Sequence, residues 1–202
     1  MLILVEGPKN VGKSHLIGQS KFKSYKFPFV EYFSSFIAKD EKDTGSKSKE
    51  TYYFTTSYDV TLLSLNKAGM LPLLPTLIDR SFLSNIVLGV LQGRITEEEG
   101  YKYIDYLAKN SYLENTRIVY VDKVSKDQGK REEADNWEFL EYEKQAKLFT
   151  QYLDYLHKSH EVEHVRIINR FDQASSDKFN SVVKDLTIQS GITSLFNFFG
   201  KE

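Results

Sequence analysis

The sequence predicts an α/β fold, a five-stranded parallel sheet flanked by helices, as a single domain over residues 1–202. Three observations predict it. Short apolar runs recur along the chain, each separated from the next by a segment of helical periodicity. The runs Leu2 to Val5 and Leu73 to Ile78 are nearly continuous in apolar character rather than alternating, as strands covered on both faces must be. The first run, Leu2-Ile3-Leu4-Val5, passes at once into a glycine-rich turn and then into a helical segment from Lys13 to about Gly18.

The remaining elements follow in order. Ser24 to Pro28 reads as a second short strand stopped by proline, and Phe29 to Ala38 as helix. Residues 39–50 hold no large apolar side chain and read as a solvated loop. From Tyr52 to Lys67, apolar residues at 54, 58, 62 and 65 predict a helix that ends at Gly69. Leu73 to Ile78 fits a central strand, and Ser81 to Gln92 a helix lying in the core. Thr96 and Glu99 have the spacing of a capping box and open a helix to Lys109. Arg117 to Val121 is the next strand, followed by a charged, aperiodic stretch over 123–135. Asn136 to Lys158 is a long helix, His164 to Ile168 the last strand and Ser175 to Gln189 the last full helix.

The turn after the first strand carries the first functional signal. Gly7-Pro8-Lys9-Asn10-Val11-Gly12-Lys13-Ser14 is a complete Walker A loop. Glycines let backbone N–H groups converge on phosphate oxygens, the lysine reaches the β- and γ-phosphates, and the serine hydroxyl ligates Mg²⁺. Strand, loop and helix stand in the order this chemistry needs, so the chain is expected to bind ATP with Mg²⁺.

Bulk properties exclude several classes. A net charge of −1 gives no global attraction to nucleic acid or to acidic membranes. The absence of cysteine removes disulfides, thiolate metal sites and cysteine nucleophiles, and suits a cytoplasmic setting. The apolar N-terminus is already used as the first strand, so no signal peptide is read there. The apolar stretch around Phe82 to Leu91 is shorter than a bilayer span, and no membrane partner is expected.

Two further places could carry chemistry. Asp79 stands at the carboxyl end of a central strand, where such sheets bind ligands. It would orient Mg²⁺ or meet the acceptor, and Arg80 would neutralise a phosphoryl group; the alternative is that Asp79 only caps the helix from Ser81. The stretch 123–135 contains Lys126, Lys130 and Arg131, cations suited to a lid that closes on a transferring phosphoryl group and excludes water. Its alternative is an ordinary solvated loop, for which Glu132 and Glu133 speak. His157, His160, His164 and Glu161 straddle a helix end and a strand start and read as surface residues rather than metal ligands.

Together these residues resemble the thymidylate kinase and deoxynucleoside kinase group of P-loop kinases. The pieces are Val5-Glu6-Gly7 before the loop, Lys26-Phe27-Pro28 after the second strand, Ile78-Asp79-Arg80-Ser81, and the stretch from Asp135 to Leu153. The resemblance implies a Mg-ATP-dependent phosphotransferase with Lys13, Asp79, Arg80 and Arg131 as its catalytic groups. It implies that Phe27 and Phe29 wall a base pocket, that Tyr58 lies near the acceptor, and that Arg80 touches the acceptor phosphate. It also implies that the loop Asn169 to Asp172, which imitates the guanine-reading motif of GTPases, packs beside adenine.

The chain departs from that pattern in ways that bear on the acceptor. Lys9 stands where thymidylate kinases hold an aspartate, and no arginine occurs between Ser14 and Asp79. Lysines such as Lys21, Lys23 and Lys26 supply point charges but not the bidentate fork that grips a monophosphate. The leading expectation is a deoxynucleoside monophosphate kinase, thymidylate-like. The alternative acts on a hydroxyl of a nucleoside or of DNA, in which case Glu31 resembles the general base of nucleoside kinases. A third reading, of another class, is a nucleotide-dependent switch or binding module. The aromatic tail over 190–202, with Phe196, Phe198 and Phe199, is read as a segment docking on the core or as a homodimer contact. It also resembles the short C-terminal peptides by which phage replication proteins engage sliding clamps, which implies a phage member acting beside DNA.

Overall fold

The computed structural model describes residues 1–20, 22, 24–26, 49–70, 76–124 and 142–199. Its elements run β1 (Leu2–Glu6), α1 (Lys13–Gly18), β2 (Ser24–Lys26), α2 (Lys49–Lys67), β3 (Thr76–Asp79), α3 (Phe82–Leu91), α4 (Glu97–Lys109), β4 (Thr116–Lys123), α5 (Tyr142–His160), β5 (His164–Asn169) and α6 (Gln173–Phe199). The sheet order is β2-β3-β1-β4-β5, and every pairing is parallel. Four strands form the body of the sheet, and β2, with three residues, adds only a short edge to β3.

Strand β1 is central because every one of its residues is buried. Its side chains alternate between two cores, as the pleat requires. Leu2 and Leu4 pack with Ile78, Ile118 and Tyr120 against α2, α3, α4 and α5. Ile3 and Val5 pack with Leu77, Val119, Val121 and Ile167 against α1 and α6. A strand covered on both faces has no polar face, and this is the origin of the continuous apolar runs in the sequence.

Several boundaries differ from the sequence reading. β3 covers Thr76–Asp79, so Asp79 belongs to the strand itself; the expected start at Leu73 lies outside the described residues. β4 extends beyond Val121 to Lys123, because Asp122 and Lys123 pair with Ile168 and Asn169. The tail from 190 onward was expected to form a segment separate from a helix ending at Gln189. Instead α6 continues unbroken through Phe199, since nothing in Ser190-Gly191-Ile192 removes a backbone donor as proline would. The capping box stands as expected: Thr96 Oγ1 accepts from Glu99 N at 3.2 Å, and Glu99 Oε2 accepts from Thr96 N at 2.7 Å.

The parallel register brings one set of strand ends to a common level. Val5 lies beside Asp79, Glu6 beside Tyr120, and Lys123 beside Asn169. The connection from β1 leads to β2 on one side, while β3 crosses to β4 on the other. The loop after β1 therefore sits at the crevice where the strand order reverses, the place where open α/β sheets bind ligands.

Candidate active site

The loop from Gly7 to Ser14 is shaped by close backbone approaches. Gly7 has φ of +143°, and a Cβ there would lie 2.0 Å from Val121 O, so the chain passes directly against β4. Gly12 has φ of +81°, and its Cβ would lie 2.4 Å from Asn169 Nδ2 and 2.8 Å from Phe171 Cε1. These two contacts, rather than general flexibility, require glycine. Asn169 is buried at the end of β5. It donates from Nδ2 to Val11 O at 2.9 Å and accepts from Phe171 N at 2.8 Å. The segment after β5 thus supports the loop from behind, and Phe171 stays partly exposed beside Gly12.

Lys13 folds its ammonium back over the loop, donating to Gly7 O at 2.8 Å and Pro8 O at 2.5 Å. Only 4% of the residue is exposed. Burial, reinforced by the Arg80 guanidinium, pushes its pKa well below the ordinary lysine value, against the opposing pull of Asp79 and Glu6. An anion at the loop mouth would restore the charge balance that burial upsets.

Ser14 and Asp79 come together across 65 positions of sequence: Ser14 Oγ donates to Asp79 Oδ2 at 2.5 Å. Asp79 Oδ1 is buried with no hydrogen-bond partner. A hydroxyl and a carboxylate with a free oxygen are hard donors of the kind Mg²⁺ takes. The residues present therefore fit a magnesium site, and the cap position of α3 is held by Ser81 rather than Asp79.

Arg80 takes a left-handed backbone, φ of +71°, with its N–H donating to Val5 O at 3.1 Å. A non-glycine residue in that region is strained, and the turn it makes swings Arg80 off the strand. Its Nη1 is buried and unpartnered. Beneath it lies Glu6, fully buried at the end of β1. Ser84 Oγ donates to Glu6 Oε2 at 2.5 Å, and Oε1 has no partner. Burial raises the Glu6 pKa to about 7, outweighing the Ser84 hydrogen bond and the nearby charges of Arg80 and Lys13. Asp59 of α2 is also fully buried. It accepts from Asn85 Nδ2 at 2.6 Å and from Ser81 Oγ at 3.4 Å. Burial lifts its pKa well above the carboxylate range.

Helix α5 reaches the loop through Gln145. Gln145 is fully buried; its Oε1 accepts from Lys9 N at 2.9 Å, and its Nε2 has no partner. The helix is anchored there by Asp122 at the end of β4. That carboxylate accepts from Tyr142 Oη at 2.5 Å, Lys123 N at 2.9 Å and Arg166 Nη2 at 2.7 Å.

The structure thus brings together Gly7, Pro8, Lys9, Asn10, Val11, Gly12, Lys13, Ser14, Asp79 and Arg80. Tyr58 is half-buried on α2, next in sequence to Asp59. Phe27, Phe29, Glu31, Lys126, Lys130 and Arg131 lie outside the described residues. Sequence reasoning passed over Glu6, Asp59, Asn85 and Gln145 as site residues, and placed Asn169 beside adenine by resemblance without seeing that it braces the loop at Val11. A signal existed for Gln145 and Asp59. Gln145 stands in register with buried Leu148, Phe149 and Tyr152, and Asp59 with buried Leu63 and Asn66. A polar residue at a core-facing position must have a partner or a ligand. A separate cavity of about 620 Å³ lies at the other end of the strands, by Arg117 of β4 and His164 of β5, and no residue of the loop from Gly7 to Ser14 lines it.

No protein-family model matches the sequence. No curated protein matches it either. Among solved structures the chain is similar to a deoxyadenosine kinase from M. mycoides with bound dATP. The two share 19% identity over 92% of this chain and 98% of that one, with a TM-score of 0.49.

Proposed function

We propose that this chain is a Mg-ATP-dependent phosphotransferase acting on a nucleoside or nucleotide. The observation that carries the reading is the junction of Ser14 and Asp79 beside Lys13, at the mouth of a complete Walker A loop. Unpartnered buried atoms of Asp79, Arg80 and Gln145 surround the same loop. Polar atoms buried without partners are rare, and several at one place point to a ligand that completes them. Ser14 and Asp79 would hold Mg²⁺, which when bound neutralises phosphate charge. The loop N–H groups and Lys13 would hold the triphosphate, and Arg80 would face the group in transfer.

For the acceptor, a hydroxyl on a nucleoside is favoured over a monophosphate. Arg80 is a cation at the acceptor side of β3, where the buried carboxyl of Glu6 feels its charge and that of Asp59 lies beside the neighbouring Ser81. No arginine occurs between Ser14 and Asp79 to grip a second anion. In such a transfer the acceptor oxygen bonds to the γ-phosphorus as the bond to the β–γ bridging oxygen breaks. ADP leaves, and the hydroxyl proton passes to a carboxylate, the role the family resemblance gives to Glu31. The thymidylate-like reading remains the second, resting on the likeness of Ile78 to Ser81 and of the stretch from Asp135 to Leu153.

The test is transfer from γ-labelled ATP with Mg²⁺ to free nucleosides, deoxynucleoside monophosphates and DNA, side by side. Labelled monophosphate from a nucleoside is the expected outcome. Labelled diphosphate from a monophosphate alone would replace the nucleoside by the nucleotide acceptor. ATP binding with no transfer to any acceptor would leave a nucleotide-dependent binding module.

A further inference from the structure

Gln145 has a half-used amide in a place where a half-used amide is expensive. It is fully buried, yet only Oε1 is engaged, by the Lys9 backbone N–H at 2.9 Å. The Nε2 group, on the same planar amide, lies within one amide width of that contact and has no partner. A buried NH₂ left unpaired forfeits the hydrogen bonds that water would give it. Its location is decided by two anchors. Tyr142, one turn earlier on α5, is bonded to Asp122 at the end of β4. Leu148, Phe149 and Tyr152, in the next turns, are packed in the core. Gln145 is therefore carried to the loop by rigid elements.

Resting on the phosphotransferase reading, we propose that Gln145 is a binding residue for the terminal phosphoryl group of the nucleotide, with Nε2 as the donor. The Lys13 ammonium, the group that reaches the outer phosphates in loops of this type, lies against the carbonyls of Gly7 and Pro8. Pro8 adjoins Lys9, so Lys13 and Gln145 converge on the same leading half of the loop. An amide donor there adds a hydrogen bond to an anionic oxygen without adding a charge that would hold the product. Oε1 meanwhile fixes the Lys9 peptide, so one side chain sets the loop and contacts what the loop carries.

The experiment compares the whole chain with Gln145→Met and Gln145→Glu by calorimetric titration of Mg-ATP and Mg-ADP, with thermal unfolding of each protein alongside. Gln145→Met keeps the length of the side chain and removes both polar atoms. Gln145→Glu keeps the acceptor for Lys9 and removes the donor, so it reads the question if the Met variant fails to fold. Gln145→Glu is expected to lose about tenfold or more in affinity for ATP while its ADP affinity stays within about twofold of wild type; Gln145→Met, which also loses the Lys9 contact, is expected to lose more for ATP than for ADP. Wild-type ATP affinity in Gln145→Glu, or an equal loss for ATP and ADP in Gln145→Met, would overturn the donor role and leave Gln145 as a brace for the loop. A wild-type chain that binds neither nucleotide would overturn the phosphotransferase reading as well.

Discussion

Two residues at the loop show how burial, more than charge pairing, sets the chemistry. Lys13 is held by carbonyls rather than by a carboxylate, so its removal costs the fold little while taking away the cation nearest the phosphates. Lys13→Ala is expected to lower phosphoryl transfer by about a thousandfold or more with an unfolding midpoint no lower than wild type; near wild-type turnover in the folded variant would remove the ATP site from this loop. Glu6 makes a prediction in pH. Its carboxyl titrates near 7 in the folded chain against 4.5 as a free side chain. The stability associated with its protonated form is complete below pH 4.5 and is lost as pH rises to about 7, because the unfolded chain ionises first. A displacement of that size is worth about 3 kcal/mol. Glu6→Gln removes the titration, so its stability relative to wild type should rise between pH 4.5 and 7 and then level off. Urea denaturation across that range measures it, and a difference flat with pH would refute the buried acid.

Helix α4 is positioned by a cap at one end and by a missing side chain at its first turn. Thr96 and Glu99 satisfy each other's backbone donors, and Thr96→Ala should cost about 1 kcal/mol in urea unfolding; no measurable loss would mean that the cap adds nothing beyond tertiary packing. Gly100 presents opposing effects. Alanine is the better helix former by about 1 kcal/mol. A Cβ at Gly100, however, would sit 2.6 Å from Tyr152 Oη and 2.8 Å from Ile86 Cγ2. Tyr152 is fully buried and donates to Glu97 O at 3.3 Å, so it has no free space to yield into. Crowding of this kind costs about 1–3 kcal/mol, enough to reverse the propensity gain. Gly100→Ala is expected to destabilise, and a stabilised variant would show that α3 and α5 separate readily from α4.

For the molecule as a whole, no described helix is long and apolar enough to cross a membrane, and the loop from Gly7 to Ser14 lies at the crevice where the strand order reverses. Ligand binding there should be felt globally. Mg-ATP at about a hundred times its dissociation constant adds about 2.7 kcal/mol to stability, which for a chain of this length raises the melting temperature by about 5–10 °C. Lys13→Ala should show a much smaller shift, and an unchanged wild-type melting temperature at millimolar Mg-ATP would contradict nucleotide binding by the folded state.

Much of this architecture is legible in the residues alone. Continuous apolar runs announce strands covered on both faces, and the spacing from Gly7 to Ser14 announces a phosphate loop, because both depend on neighbours in sequence. Asp79 at a strand end is legible for the same reason. What sequence order leaves open is which distant residues arrive at the loop. Ser14 meets Asp79, Lys9 meets Gln145, and Val11 meets Asn169 only because parallel register and helix packing bring them there. The burial that raises Glu6 and Asp59 likewise belongs to no local pattern. Local periodicity and steric rules write the elements into the sequence, whereas hydrogen-bond partners and desolvation are properties of the packed interior, and only the tertiary structure decides them.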